Sequence, residues 1–109
     1  MGNNFHRVTE SDVAFATLQI AASQPNGIAT FHRLKRDIPF ILNLSRQDLK
    51  ISVTRPNEAM WIQLIRNIKS HHESDGNFIN RGLLIHIPRV GYKITDEGRD
   101  YLDANINDN

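Results

Sequence analysis

Leu83-Leu84-Ile85-His86-Ile87-Pro88-Arg89-Val90-Gly91-Tyr92-Lys93-Ile94-Thr95-Asp96-Glu97-Gly98-Arg99 is the stretch that decides the fold of this chain. Its first part, Leu83–Pro88, is a short apolar run of strand-like composition. Arg89-Val90-Gly91 supplies a turn, and Tyr92-Lys93-Ile94 returns as a second strand. Thr95 can then cap a closing helix from Asp96 to Leu102, in which Gly98 is a weak helix former. No Gly or Pro stops that helix, and residues 105–109 read as a frayed polar tail. The stretch predicts a β-hairpin followed by a helix.

Upstream the patterns are helical. Thr9 or Ser11 opens a first helix, with Asp12 three residues after Thr9 as an acidic capping box. Phe15, Leu18 and Ala22 share one of its faces, and Gln24-Pro25-Asn26-Gly27 ends it. Ile28 is expected to form no more than a bridge of strand, and Thr30 caps a short second helix, Phe31–Asp37, that Pro39 terminates. Ser45-Arg46-Gln47-Asp48 reads as a cap and one or two helical turns. Thr54-Arg55-Pro56 announces the longest helix, running to about His71, with Pro56 in its first turn and Glu58 at the positive end of its dipole. Trp61, Leu64, Ile65 and Ile68 form its buried stripe. Residues 1–10 are expected to be a mobile arm and 11–104 one domain.

The chain has 109 residues and a formal net charge of +1, which taken whole argues against nucleic acid as a partner. The charge is segregated, however. Residues 29–69 carry eight bases (Arg33, Lys35, Arg36, Arg46, Lys50, Arg55, Arg66, Lys69) against Asp37, Asp48 and Glu58, a local +5, while the acids gather after residue 70. The field at a surface is set by charge within a Debye length, so a basic middle can bind phosphate whatever the total. Absent cysteine removes disulfides and thiolate chemistry and is compatible with a cytoplasmic setting. No run approaches a membrane span, and the first residues lack the apolar core of a signal peptide. His6, His32, His71, His72 and His86 have no metal-site spacing, and no phosphate loop, HExxH or G-x-S-x-G occurs, so neither an enzyme nor a cofactor is expected.

Helices followed by a two-stranded hairpin and a last helix are the layout of a winged helix-turn-helix domain: mainly α with a small β-hairpin. Gly82-Leu83-Leu84 with Pro88-Arg89-Val90-Gly91-Tyr92-Lys93-Ile94-Thr95-Asp96-Glu97-Gly98-Arg99, together with Ser45-Arg46-Gln47-Asp48-Leu49 and the helix around Trp61, resembles the N-terminal winged helix domains of Mrr-like restriction proteins over residues 11–102. The resemblance implies a module that binds double-stranded DNA as a transcription regulator or as the reader of a restriction system. A homodimer partner, or a nuclease or methyltransferase subunit, would accompany it. Two departures stand out. Eighteen residues, 38–55, separate the second helix from the long one, where a standard helix-turn-helix has a 3–4-residue turn. The nuclease domain of those relatives has no counterpart in 109 residues, so the chain is expected to bind rather than cut.

In that layout the long helix, at about 57–71, enters the major groove. Arg66 could read guanine, Gln63 or Asn67 adenine, and Ser70 lies on the same face with Lys69 beside it. Thr54 and Arg55 at the helix entrance, and Arg89 and Lys93 in the wing at about 84–94, are candidate phosphate contacts. Arg33, Lys35 and Arg36 form a smaller basic group. Five neutralised phosphates would give log K against log[salt] a slope of about −4 to −5. A protein-interaction module on the same fold is the alternative; there the bases would be scattered or neutralised by Glu58, Asp48 and the C-terminal acids.

Overall fold

The computed structural model describes residues 7–106, in the order α1 (Glu10–Ala22), β1 (Ile28–Thr30), α2 (Phe31–Ile41), α3 (Arg46–Leu49), α4 (Met60–Ser70), β2 (Leu84–Ile87), β3 (Gly91–Ile94) and α5 (Asp96–Ile106). About half the chain is helical, and the three strands form one antiparallel sheet in the order β1-β3-β2.

α1 is the central post. Thr9 caps it: the Thr9 hydroxyl accepts from the Asp12 N–H at 3.1 Å and the Asp12 carboxylate accepts from the Thr9 N–H at 2.9 Å. Val13, Ala14, Ala16, Leu18, Ile20 and Ala21 are all buried, so the helix is covered on most sides rather than on a single Phe15–Leu18–Ala22 face. Its alanines let α2, α4, α5 and the sheet approach closely. Buried Thr17 satisfies its hydroxyl on the Val13 carbonyl at 2.8 Å. Leu34 and Ile38 of α2 and Trp61, Ile65 and Ile68 of α4 complete the core with Leu84, Tyr92, Ile94 and Leu102.

Four expectations change. Ile28 begins a true strand, with Ile28, Ala29 and Thr30 facing Lys93, Tyr92 and Gly91 of β3, so the hairpin grows into a three-stranded sheet. Pro39 does not end α2, which continues to Ile41. Pro39 sits near the helix end, where the missing N–H costs one bond, and the fully buried Ile38 anchors that turn while its carbonyl accepts from the Leu42 N–H. Pro56 does not open α4. The Glu58 N–H donates to the Arg55 carbonyl at 2.9 Å, which makes Pro56 the second residue of a turn, the other position proline favours. α4 begins only at Met60, behind an Ala59 cap with no side-chain hydrogen bond, and stops at Ser70. α5 extends four residues past Leu102, so Asn105 and Ile106 of the expected tail are helical; residues 1–6 and 107–109 lie outside the described residues.

The hairpin pairs Leu84, Ile85, His86 and Ile87 with Ile94, Lys93, Tyr92 and Gly91. Pro88-Arg89-Val90 turns it, with Arg89 in the left-handed region at φ 64°. Tyr92 is fully buried and packs edge-on against Phe31, and its hydroxyl donates to the Ile65 carbonyl of α4 at 2.6 Å. Tyr92 is therefore a tie between the sheet and the long helix. Burial pushes the Tyr92 phenol up to about 12. The folded state thus disfavours ionisation, and the associated stability is intact below the ordinary tyrosine value and lost as pH rises from about 10 to about 12, roughly 3 kcal/mol in all. Tyr92→Phe should cost about 1 kcal/mol at neutral pH and flatten that alkaline loss, readable in urea melts at pH 8 and pH 11. An equal alkaline loss in both proteins would reject this assignment.

Candidate nucleic-acid interface

α4 presents Gln63, Arg66, Asn67, Lys69 and Ser70 beyond its buried stripe, but most of these side chains are already engaged. Arg66 grips the Glu58 carboxylate through both Nε, at 3.1 Å, and Nη2. The Lys35 Nζ of α2 lies 3.6 Å from the same carboxylate. Hydrogen bonding to Arg66, with the fields of Arg66, Lys35 and Arg55, holds the Glu58 carboxyl below the usual carboxylate range and raises the Arg66 guanidinium. Glu58 is the centre of a cluster that brings Lys35, Arg55 and Arg66 together from three segments. Its expected role as a first-turn dipole partner is replaced by this ion pairing, because the helix starts two residues after it.

Gln63 is held from the other side. Its Oε1 accepts from the Ser52 hydroxyl at 3.0 Å, and the same hydroxyl accepts from the Thr54 and Arg55 N–H groups, both at 3.2 Å. Ser52 is nearly fully buried and pins the loop that carries Arg55 onto α4. The Ser70 hydroxyl donates back to the Arg66 carbonyl at 3.2 Å. Among the described residues, Asn67 makes no side-chain hydrogen bond and Lys69 no ion pair.

The basic group on α2 is neutralised locally. Arg36 makes a two-pronged contact with Asp37 and Arg33 lies 3.6 Å from it; the Arg36 contact lowers the Asp37 carboxyl. Among the described residues Asp48 pairs with no base. Its carboxylate accepts from the Val8 N–H, the Ser45 N–H and the Ser45 hydroxyl, closing the α3 capping box and fastening the chain before α1. Four of the eight middle bases are thus ion-paired, and Arg46, Lys50, Arg55 and Lys69 have no ion pair among the described residues.

The hairpin contributes unevenly. His86 faces Tyr92 across the ladder and lies on the α4 side; burial and the nearby Lys69 lower its pKa. Lys93 is the next residue after Tyr92 on an alternating strand, so it points to the opposite face of the sheet with its partners Ile28 and Ile85, away from α4. Arg89 stands exposed at the hairpin tip, which is tied to α2 by the Phe31 N–H donating to the Val90 carbonyl at 3.0 Å. Lys69 and His86 thus lie together, Arg55 and Arg66 meet at Glu58, and Lys93 joins neither group. Sequence reading missed the buried hub Ser52, and it named Glu58 as a neutralising acid without the partners Arg66 and Lys35 that the fold gives it. No helix of the described residues is long and apolar enough to cross a membrane. The chain matches no known protein family, no curated protein and no solved structure.

Proposed function

We propose that the chain is a non-catalytic winged helix module that binds double-stranded DNA, with α4 in the major groove and the β2–β3 hairpin beside the backbone. The observation that carries this reading is the Tyr92 hydroxyl bond to the Ile65 carbonyl, which ties the β2–β3 hairpin to α4. The element order and the β1-β3-β2 sheet support the same layout. Asn67 and the outer edge of the Arg66 guanidinium are the candidate base readers. Arg55, Lys69 and Arg89 are the candidate phosphate contacts. A role as a regulator, or as the reader of a restriction system beside a nuclease or methyltransferase, fits a module of this kind.

With Lys35, Arg33, Arg36 and Arg66 held by acids, three backbone contacts remain, and log K should fall with log[salt] with a slope of about −3 rather than −4 to −5. Titration of a mixed-sequence duplex at two salt concentrations measures it; absence of binding at low salt, or binding indifferent to salt, would sink the proposal. The neutralisation of Arg66 and Lys35 by Glu58 is also what a protein-interaction module predicts. That second reading requires binding to a protein partner that survives joint loss of Arg66, Arg89 and Lys93.

A further inference from the structure

The junction between the hairpin and the end of α4 holds a histidine that the DNA contacts named above leave unused. His86 of β2 lies across the ladder from Tyr92, with ring centroids 5.5 Å apart, and 6.3 Å from the Phe31 ring of α2. These two rings hold the imidazole in a half-buried position. Among the described residues neither of its nitrogens has a hydrogen-bond partner, and no unpartnered side-chain nitrogen is fully buried, so both reach solvent. The Tyr92 hydroxyl ends on the Ile65 carbonyl, the same group that the helix ladder offers to the Lys69 N–H. One tyrosine thus joins the His86 side of the sheet to the turn of α4 that bears Lys69. Burial, and then the field of the exposed Lys69 ammonium, hold the imidazole below the usual histidine range.

No acid balances this pair. Neither α4, Met60–Ser70, nor the hairpin, residues 84–94, contains an Asp or Glu. The acids of the adjoining segments are engaged: Asp37 by Arg36 and Arg33, Glu58 by Arg66 and Lys35, and Glu10, whose field reaches Tyr92, by His71 and Asn77. Lys93 points to the other face of the sheet. A permanent cation beside a titratable base, without a counter-ion from the protein, is completed by an anion from outside. Resting on the DNA reading, we propose that Lys69 and His86 together take one backbone phosphate of the duplex, and that His86 binds a proton as the duplex binds. In the free protein the imidazole is mainly neutral at neutral pH. A phosphate beside it reverses the sign of the local field, favours the imidazolium and accepts its N–H in a charge-assisted hydrogen bond. Affinity therefore rises as pH falls.

Fluorescence anisotropy of a labelled duplex at constant ionic strength tests this. Wild-type affinity should rise about tenfold between pH 7.5 and 5.5, and the salt slope should steepen by about one unit as a further phosphate is neutralised. His86→Gln and His86→Phe should lose both responses. The phenylalanine keeps the contacts with Tyr92 and Phe31, and it decides the matter if the glutamine variant fails to fold by circular dichroism. His71 and His72 already stand beside Glu10 and Glu73, and their titration is common to wild type and variants. An NMR titration of the wild-type histidines gives a readout that needs no variant: the His86 midpoint should be higher with saturating duplex than without. Duplex binding in which a folded His86 variant keeps the wild-type pH response, or in which the His86 midpoint does not move, overturns the proposal alone. Absence of duplex binding at both pH values overturns it together with the DNA reading.

Discussion

Gly91→Ala is expected to lower Tm by about 15 °C or more, or to leave the chain unfolded at room temperature. A Cβ at position 91 would fall far inside the contact distance of the Ala29 carbonyl oxygen and 2.9 Å from both the Ala29 carbonyl carbon and the Thr30 Cα. Every one of these is backbone, so no side chain can rotate away. β1 cannot retreat either: Ala29 is fully buried opposite Tyr92, and the Phe31 N–H bond to the Val90 carbonyl locks the strand end to the hairpin tip. The cost should be at least about 3 kcal/mol, a large share of the 5–15 kcal/mol that holds a domain together. Gly98→Ala should act the same way. Its Cβ would meet the Leu83 carbonyl oxygen and lie 2.8 Å from the Ile94 side chain, outweighing the gain of about 1 kcal/mol that alanine normally brings to a helix. Gly76→Ala is the control. Nothing lies within 4 Å of its Cβ, and only a φ of 85° opposes it, for about 1 kcal/mol. Thermal melts of the three variants decide; a Gly91→Ala protein within about 3 °C of wild type would refute the close approach.

These glycines mark what the sequence could and could not tell. Gly98 reads from sequence only as a weak helix residue, yet it is where α5 touches the hairpin, a contact set by residues fifteen positions apart. The caps at Thr9, Thr30 and Ser45 were legible because each acts within three residues of itself. The hairpin was legible because its turn and alternation are local. β1 was not, since three residues become a strand only by pairing with β3 some sixty residues later. The start of α4 was misplaced because Arg55-Pro56 satisfies two local rules at once, and the buried Ser52 hub chose the turn. The candidate interface suffered most. Positions 63, 66, 67 and 70 do share a face, but whether a polar side chain is available or already bound depends on partners such as Ser52, Glu58 and Lys35 that lie outside the helix. Strand alternation alone puts Lys93 on the opposite face from its neighbour Tyr92, a local rule that could have kept it out of the α4 group.

Glu58→Gln is expected to strengthen DNA binding about tenfold at low salt and to steepen the salt slope by one to two units. Glu58 is the sole acid in contact with Arg66 and Lys35 among the described residues, and its field also reaches Arg55. DNA phosphates must approach bases whose charge this carboxylate already balances, so part of the attraction is cancelled before contact. The amide keeps an oxygen for Arg66 to hold but carries no charge, which frees Lys35 and Arg66 to act on phosphate. The fold should tolerate the change, because the Glu58 carbonyl and N–H that shape the loop are backbone groups and remain. Base preference should change in the opposite direction to affinity. Glu58 occupies the Nε and Nη2 groups of Arg66 and so fixes the plane of the guanidinium, leaving its outer edge as the part that could face guanine. Selection from a random duplex library should return a motif with a guanine that Arg66→Ala loses and Glu58→Gln blurs. A Glu58→Gln protein with unchanged slope and unchanged motif would show that the acid does not face the DNA at all. Duplex binding too weak to measure in either protein, even at low salt, would turn the surface over to a protein partner instead.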